Sequence, residues 1–410
     1  MTKIKTFKAI RPTRDKVHLV ATRPIYTYKK NILKAKLEEN PYTFLRIIHP
    51  EFKEKLKTKA NSVERFIQVK KQFEKFCNEG ILIQDQGENY YVYQQTHKDK
   101  TFLGLIAGAS VEDYQNDHIK KHEATLTSRE QMFTEYLDVV GFNAEPVLLA
   151  HQKNENLNKV YLEVLKYRPE YEFSTTDEIK HELWLVNGDL ASQITNIFLK
   201  IEDTYIADGH HRSASSAQLA EILKKRNVKT LNHNYFLAFF MDESKLNILE
   251  FNRLIKNVSV ENEKYFLEKL ANSFEIEKID CPKKPSKEHQ IVMNLKNVWY
   301  NLTCKPKIIN KNHPVSCLDA EILTQYILAP LLQITDLKTD ANIEFISGNL
   351  GLDAIIEPIK NGKADLGFVL YPISFEQVKK VADNQLIMPP KSTWVEPKLR
   401  SGLTIYNINE

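Results

Sequence analysis

Tyr205-Ile206-Ala207-Asp208-Gly209-His210-His211-Arg212-Ser213-Ala214-Ser215-Ser216-Ala217 is the stretch from which the rest of the chain is best read. An apolar run ends in Asp-Gly, three basic-capable side chains follow, and small residues begin what reads as a helix. Strand, glycine turn and helix N-terminus in that order make an anion site. The first-turn N–H groups have no intrahelical acceptor, and the positive end of the helix dipole points into the turn. Arg212 adds a planar, permanently charged fork suited to phosphate oxygens. The small residues Ala214 to Ala217 permit close helix–strand packing and would let a phosphate approach the backbone. A phosphorylated small molecule, held by Asp208, Gly209, His210, His211, Arg212 and Ser213, is the expectation. The competing reading is a loop whose histidines cap a helix or pack. Asp208 is suited to ligating a metal, holding a ligand hydroxyl or capping the helix. A metal held jointly by Asp208, His210 and His211 is disfavoured, because adjacent side chains point in different directions.

Outward from this turn, strands and helices alternate over about residues 101–242. Phe102 to Ala109 reads as an apolar, glycine-rich strand, Ser128 to Val140 as a helix, and Val147–Ala150, Leu183–Val186 and Tyr235–Phe240 as strands. The helix after Arg212 runs to about Lys225. Before residue 100, Phe44 to Ile48 reads as a strand and Ser62 to Cys77 as a helix closed by Asn78-Glu79-Gly80. Ile81–Gln84 and Tyr90–Gln94 read as two strands of an edge hairpin. Beyond Met241, Tyr265–Phe274 and Asp319–Leu332 read as helices and Gln290–Leu302 as two strands. The expected organisation is an N-terminal α/β region (1–100), a core of alternating strands and helices that carries the anion turn (101–242) and a C-terminal α/β domain (243–410).

The bulk properties fit an ordinary globular protein: 410 residues, 42% hydrophobic and 27% charged. A formal net charge of +4, from 57 basic and 53 acidic residues, is too small to imply nucleic-acid binding. The four cysteines (Cys77, Cys281, Cys304, Cys317) have no Cys-x-x-Cys spacing, which argues against a zinc knuckle or redox pair. The first residues lack the apolar core of a signal peptide, and no apolar run reaches the roughly 18 residues of a spanning helix. A cytoplasmic protein without membrane or nucleic-acid partners is expected; oligomeric state has no sequence signal.

Two further constellations carry chemistry. Lys120-Lys121-His122-Glu123-Ala124-Thr125 precedes a helix, where a carboxylate can face a cleft and act as general base or simply favour the helix N-terminus. His181-Glu182, a second pair of the same kind, falls at a strand and ranks below it. Met388-Pro389-Pro390-Lys391-Ser392-Thr393-Trp394 holds its backbone extended and offers a cation and two hydroxyls to a carboxylate or phosphate, or serves as a rigid surface turn. Neither a phosphate-binding Walker loop nor Gly-x-Gly-x-x-Gly nor a serine-hydrolase elbow is present.

Lys121-His122-Glu123, Ile206 to Arg212 and the tail (Gly362 to Asp365 through Phe368, Glu376-Gln377-Val378, Pro390 to Thr393) together resemble the SerK-like proteins of the ParB/sulfiredoxin superfamily. That group includes free serine kinases and a large bacterial family grouped as domain of unknown function 1015. Phe7 to Pro12 and Asn40 to Leu45 also look like the bacterial family, so the resemblance touches nearly the whole chain. It implies an α+β fold, with a ParB/sulfiredoxin-like mixed α/β core and N- and C-terminal α/β extensions. It also implies phosphoryl transfer from ATP or ADP, with Mg2+, to the hydroxyl of free L-serine. By the same resemblance Glu123 is the base, Gly209 to Arg212 hold nucleotide phosphates, and His122, Lys391, Ser392 and Thr393 lie near the amino acid. Such transfer needs charge stabilisation and an oriented nucleophile more than covalent chemistry. The alternative is a ParB-type switch, in which CTP or another nucleotide closes a clamp on a partner. Three departures stand out: about 100 extra N-terminal residues, His210 where sulfiredoxins need a cysteine, and Asn252 where the bacterial family has a histidine before arginine.

Overall fold

A computed structural model describes residues 1–50, 58–257 and 263–410. The chain forms two compact units: residues 1–121, 125–246 and 397–410 make the first, and residues 122–124 and 247–396 the second. Both are mixed α/β.

The first unit is organised on a nine-stranded sheet. Across it run Ile119–Lys120, Thr204–Asp208, Val147–His151, Tyr235–Asp242, Lys100–Ser110, Tyr90–His97, Lys180–Val186 and Tyr171–Ser174, and Ile4–Lys5 also pairs with Lys100–Ser110. Directions are mixed. Thr204–Asp208 lies parallel to Ile119–Lys120 and antiparallel to Val147–His151, with a register shift between Ile206 and Asp208. Alternation along the strands puts Tyr90, Val92, Leu105, Ala107, Leu149, Ile206, Ala238 and Phe240 into one buried cluster. The helices Glu155–Val164 and Gly188–Phe198 cover it with Leu157, Val160, Tyr161, Ile194 and Phe198. Gly104 has a packing reason: a Cβ there would lie 2.3 Å from the Phe240 carbonyl oxygen.

Helix Val63–Asn78 agrees with its expected span, and the helix expected from Ser128 begins at Thr127 and ends at Val140 before Gly141 in the left-handed region. Two local expectations fail. Leu45–Ile48 is a helical turn, with Leu45 and Ile47 buried and Arg46 Nη2 donating to the Leu37 carbonyl at 2.6 Å. A short apolar run has too little length for periodicity to separate helix from strand. The edge hairpin is also absent: Leu82–Gln84 pairs with Ile10–Pro12, while Tyr90–His97 lies inside the large sheet between two other strands. Tyr91 supplies a reason, because its hydroxyl bonds Phe7, Ala9 and Asp85 from beneath the sheet and ties that corner to the first residues.

The second unit carries a seven-stranded sheet. Its order is Phe274–Ile279, Val298–Cys304, Gln290–Leu295, Leu366–Val369, Asn247–Ile255 and Ile343–Ser347, with Thr393–Glu396 paired to Asn247–Glu250. One face packs on Ala320, Ile322, Leu323, Ile327 and Leu328; the other packs on Ile355 and Ile359 of helix Asp353–Lys360. The helix expected over Tyr265–Phe274 spans Glu263–Leu270 instead, and Phe274 already begins a strand. The helix expected over Asp319–Leu332 is interrupted by a π turn at Thr324–Leu328, just before Pro330, which has no N–H to give a regular ladder.

Candidate functional site

The decisive stretch folds as its sequence reads. Strand Thr204–Asp208 passes through Gly209 into helix His210–Lys225. Gly209 takes φ +109°, and a Cβ on it would lie 2.9 Å from Nε and Nη2 of Arg212. Both the backbone and the space therefore require glycine, and the space is filled by the Arg212 guanidinium. Gly209, not Asp208, is the helix N-cap, so the capping role considered for Asp208 does not hold.

Asp208 instead joins two cations. Its Oδ2 accepts from Arg212 Nη2 at 2.6 Å and its Oδ1 from Lys398 Nζ at 2.9 Å. Arg212 also pairs through Nη1 with Glu145, whose carboxylate accepts from Ser401 Oγ at 3.1 Å. Tyr26 completes this cluster: Lys398 Nζ lies 6.0 Å from its ring centroid, and burial beside Asp208 raises its phenol pKa. Burial lowers the Arg212 pKa to about 10, with Tyr26 acting in the opposite direction, so the guanidinium is charged at neutral pH. Two carboxylates and two cations thus sit together at one helix N-terminus.

The two histidines divide their work. His210 is buried, and desolvation, with smaller contributions from His211 and Lys121, lowers its pKa to about 3 against the pull of Asp208. It is a neutral ring, not a third cation. His211 Nε2 accepts from the Leu126 backbone N–H at 3.2 Å, fixing the entry to helix Thr127–Val140. Ser213 is fully buried and its Oγ donates to the Gly209 carbonyl at 3.3 Å, so its hydroxyl closes the turn. Ser215 and Ser216, also buried, allow the close approach of helix Thr127–Val140; Thr134 Oγ1 reaches the Ser215 carbonyl at 3.4 Å.

The remaining expected residues belong to the second unit. His122 is buried and Glu123 half-buried, and the His122 carbonyl accepts from the Met388 N–H at 2.9 Å. This bond brings His122-Glu123 beside the segment that leads into Pro389-Pro390. Ser392 Oγ donates to the Pro389 carbonyl at 2.7 Å, so its hydroxyl is engaged locally, and Thr393 is buried opposite Glu250. Lys391 is exposed, at φ +55°, with Nζ 5.6 Å from the Phe251 ring centroid.

Sequence reading missed Glu145, Lys398 and Tyr26. Each comes from a distant segment, and only the fold brings them to Asp208. A usable signal existed for Lys398: a lysine after proline, in the same tail as the Pro-Lys-Ser-Thr run.

The model of the DUF1015 family, described as a protein of unknown function, matches residues 4–321. The chain belongs to this family. No curated protein matches it. Among solved structures it is similar to a free serine kinase in complex with AMP, at 14% identity and TM-score 0.36, over 75% of this chain and 94% of that one. A conserved hypothetical protein from Pyrococcus furiosus aligns at 14% identity and TM-score 0.35, over 75% and 97%. SbnI with a C-terminal truncation, from Staphylococcus aureus, aligns at 12% identity and TM-score 0.38, over 73% and 87%. Among the described residues, no helix of this DUF1015 member is long and apolar enough to cross a membrane.

Proposed function

We propose that this protein transfers a phosphoryl group from ATP or ADP to the hydroxyl of a small amino acid, with free L-serine as the acceptor. The observation that carries the reading is the Gly209 turn, where a left-handed glycine places the Arg212 guanidinium over the N-terminus of a long helix. Backbone N–H groups, the helix dipole and a fixed cation then converge on one point, the arrangement that binds phosphate oxygens. Asp208 and Glu145 neutralise Arg212 and Lys398. A nucleotide phosphate would compete with these carboxylates for both cations.

In the proposed reaction the serine Oγ forms a bond to phosphorus as the donor's bridging P–O bond breaks. The hydroxyl proton passes to the Glu123 carboxylate, and the leaving phosphate takes the negative charge beside Arg212 and Lys398. If a nucleotide phosphate drew Arg212 and Lys398 away, Asp208 and Glu145 would offer magnesium the hard carboxylate oxygens that it takes together with phosphates. His210, neutral and buried, acts as a packing residue that sets the turn. His122 shares the second unit with Lys391, Ser392 and Thr393, and that segment is proposed for the amino acid. The assignment of residues 101–242 to a ParB/sulfiredoxin-like core, flanked by 1–100 and 243–410, belongs to the same proposal and rests on the motif resemblance.

The test is a transfer screen of free amino acids against ATP, ADP and CTP with magnesium. Labelled O-phospho-L-serine is expected. CTP binding without transfer to any amino acid would contradict the proposal and favour a nucleotide-gated switch.

A further inference from the structure

Tyr26 is 58% exposed, yet it stands beside the ion cluster at the Gly209 turn. A single exposed apolar ring ordinarily needs no explanation. Its orientation sets this one apart. Tyrosine has an apolar body and a polar tip. Here the tip is the enclosed end, since burial, and then Asp208, raises the phenol pKa against the pull of Arg212. The exposure therefore falls on the ring. Lys398 Nζ, which donates to Asp208 at 2.9 Å, lies 6.0 Å from the ring centroid. A flat apolar surface thus borders the cations proposed for the phosphates, at a separation of the size that a ribose bridges between phosphate and base.

The backbone around the ring is fixed. Pro24 precedes a 3-10 turn, Ile25–Thr27. The Thr27 N–H and Oγ1 both donate to the Pro24 carbonyl, at 3.0 and 2.7 Å. The Tyr28 N–H donates to the Ile25 carbonyl at 3.1 Å, and the Tyr28 hydroxyl accepts from the Arg23 N–H at 3.0 Å. A ring held exposed on so short and bonded a turn has little freedom left to lose when something stacks on it. The turn is also fastened to the site. Thr22 and Ser401 exchange backbone hydrogen bonds at 3.1 and 2.8 Å. Ser401 Oγ donates to Glu145, and Glu145 pairs with Arg212. The segment that carries Tyr26, the tail that carries Lys398 and the Arg212 guanidinium are therefore joined by hydrogen bonds within the first unit.

We propose that Tyr26 receives the nucleotide base, which stacks on the exposed face of its ring while Arg212 and Lys398 take the phosphates. The inference rests on the phosphate site of the transfer reading and adds to it the recognition of the nucleoside. Stacking on an aromatic ring tolerates any base, because each has a π face. Tyr26 therefore sets affinity for a nucleotide over a bare phosphate chain, and not a choice among bases. It also gives the N-terminal region, which takes no other part in the proposed transfer, a place in substrate binding.

The experiment is calorimetric titration of the full chain with ADP and, separately, with pyrophosphate in the same magnesium buffer, for the parent, Tyr26→Ala and Tyr26→Phe. ADP affinity should fall about tenfold in Tyr26→Ala, the usual worth of one base–aromatic stack, and stay near the parent value in Tyr26→Phe. Pyrophosphate, which has no base, should bind all three alike. A merely structural tyrosine would move both ligands or neither. Unchanged ADP affinity in Tyr26→Ala, or equal losses for ADP and pyrophosphate, would overturn this inference alone. A parent that binds neither ligand would overturn the phosphate-site reading and the inference with it. Should Tyr26→Ala fail to fold, Tyr26→Leu, which keeps apolar bulk without a flat ring, decides by the same comparison.

Discussion

Lys398 Nζ lies 2.9 Å from Oδ1 of Asp208, although 190 residues separate the two in sequence. The return of residues 397–410 to the first unit therefore delivers a second cation to the strand end where Arg212 already sits. Lys398→Ala should weaken ADP binding by about tenfold, the order expected for one hydrogen bond to a charged group. The fold should be little affected, because partly exposed ion pairs contribute little to stability. Calorimetric titration with ADP, alongside a melting curve, checks both halves; unchanged affinity would remove Lys398 from the proposed phosphate site.

Gly209→Ala is the sharpest probe of the turn. The substitution forces an L-residue to φ +109° and puts its Cβ 2.9 Å from the Arg212 guanidinium. A stability loss on the order of 1–3 kcal/mol is expected in urea unfolding. Nucleotide affinity should fall further than stability alone accounts for, because Arg212 must move. A variant with normal affinity would show that Arg212 does not depend on this glycine.

Much of the site was legible because it is local. The change from an apolar strand to a small-residue helix across Asp208-Gly209 is written in adjacent residues, and strand Thr204–Asp208 and helix His210–Lys225 follow it closely. What depends on tertiary pairing was not legible. The hydroxyl groups of Ser392 and Ser213 look available in sequence, yet each bonds a nearby backbone carbonyl. His210 looks cationic until burial is known, and Glu145 and Tyr26 carry no spacing signal at all. The run Phe44 to Ile48 shows the same limit for structure, since five apolar-rich residues fit a strand or a helical turn until their neighbours decide.

Acid should destabilise the first unit through its buried histidines. His181 stacks on Phe173, its Nδ1 lies 2.8 Å from the Tyr93 hydroxyl, and its Nε2 accepts from Arg400 Nε at 3.2 Å. A proton on Nε2 would oppose Arg400. Burial first, and Arg400 second, lower the pKa to about 3, and His210 is lowered similarly. The unfolded rings titrate near about 6.5. Between that value and about 3 the unfolded chain takes up protons that the native chain refuses, so stability is present above pH 6.5 and is lost as pH falls through this window. Tm should decline over that range, and less steeply in His181→Gln. An identical slope in the variant would mean that His181 does not carry the effect.

Glu123 bears the chemical step in the proposed transfer, so its conservative replacement tests the account most directly. The measurement is transfer of labelled phosphate to L-serine by the full chain with magnesium, for the parent and Glu123→Gln, with nucleotide affinity determined in parallel. Phosphoserine is expected from the parent and a fall of about 10²–10⁴-fold in the variant, the contribution typical of a positioned general base, with nucleotide affinity retained. Phosphoserine formation at the parent rate in Glu123→Gln, or none from the parent with any donor, would contradict it.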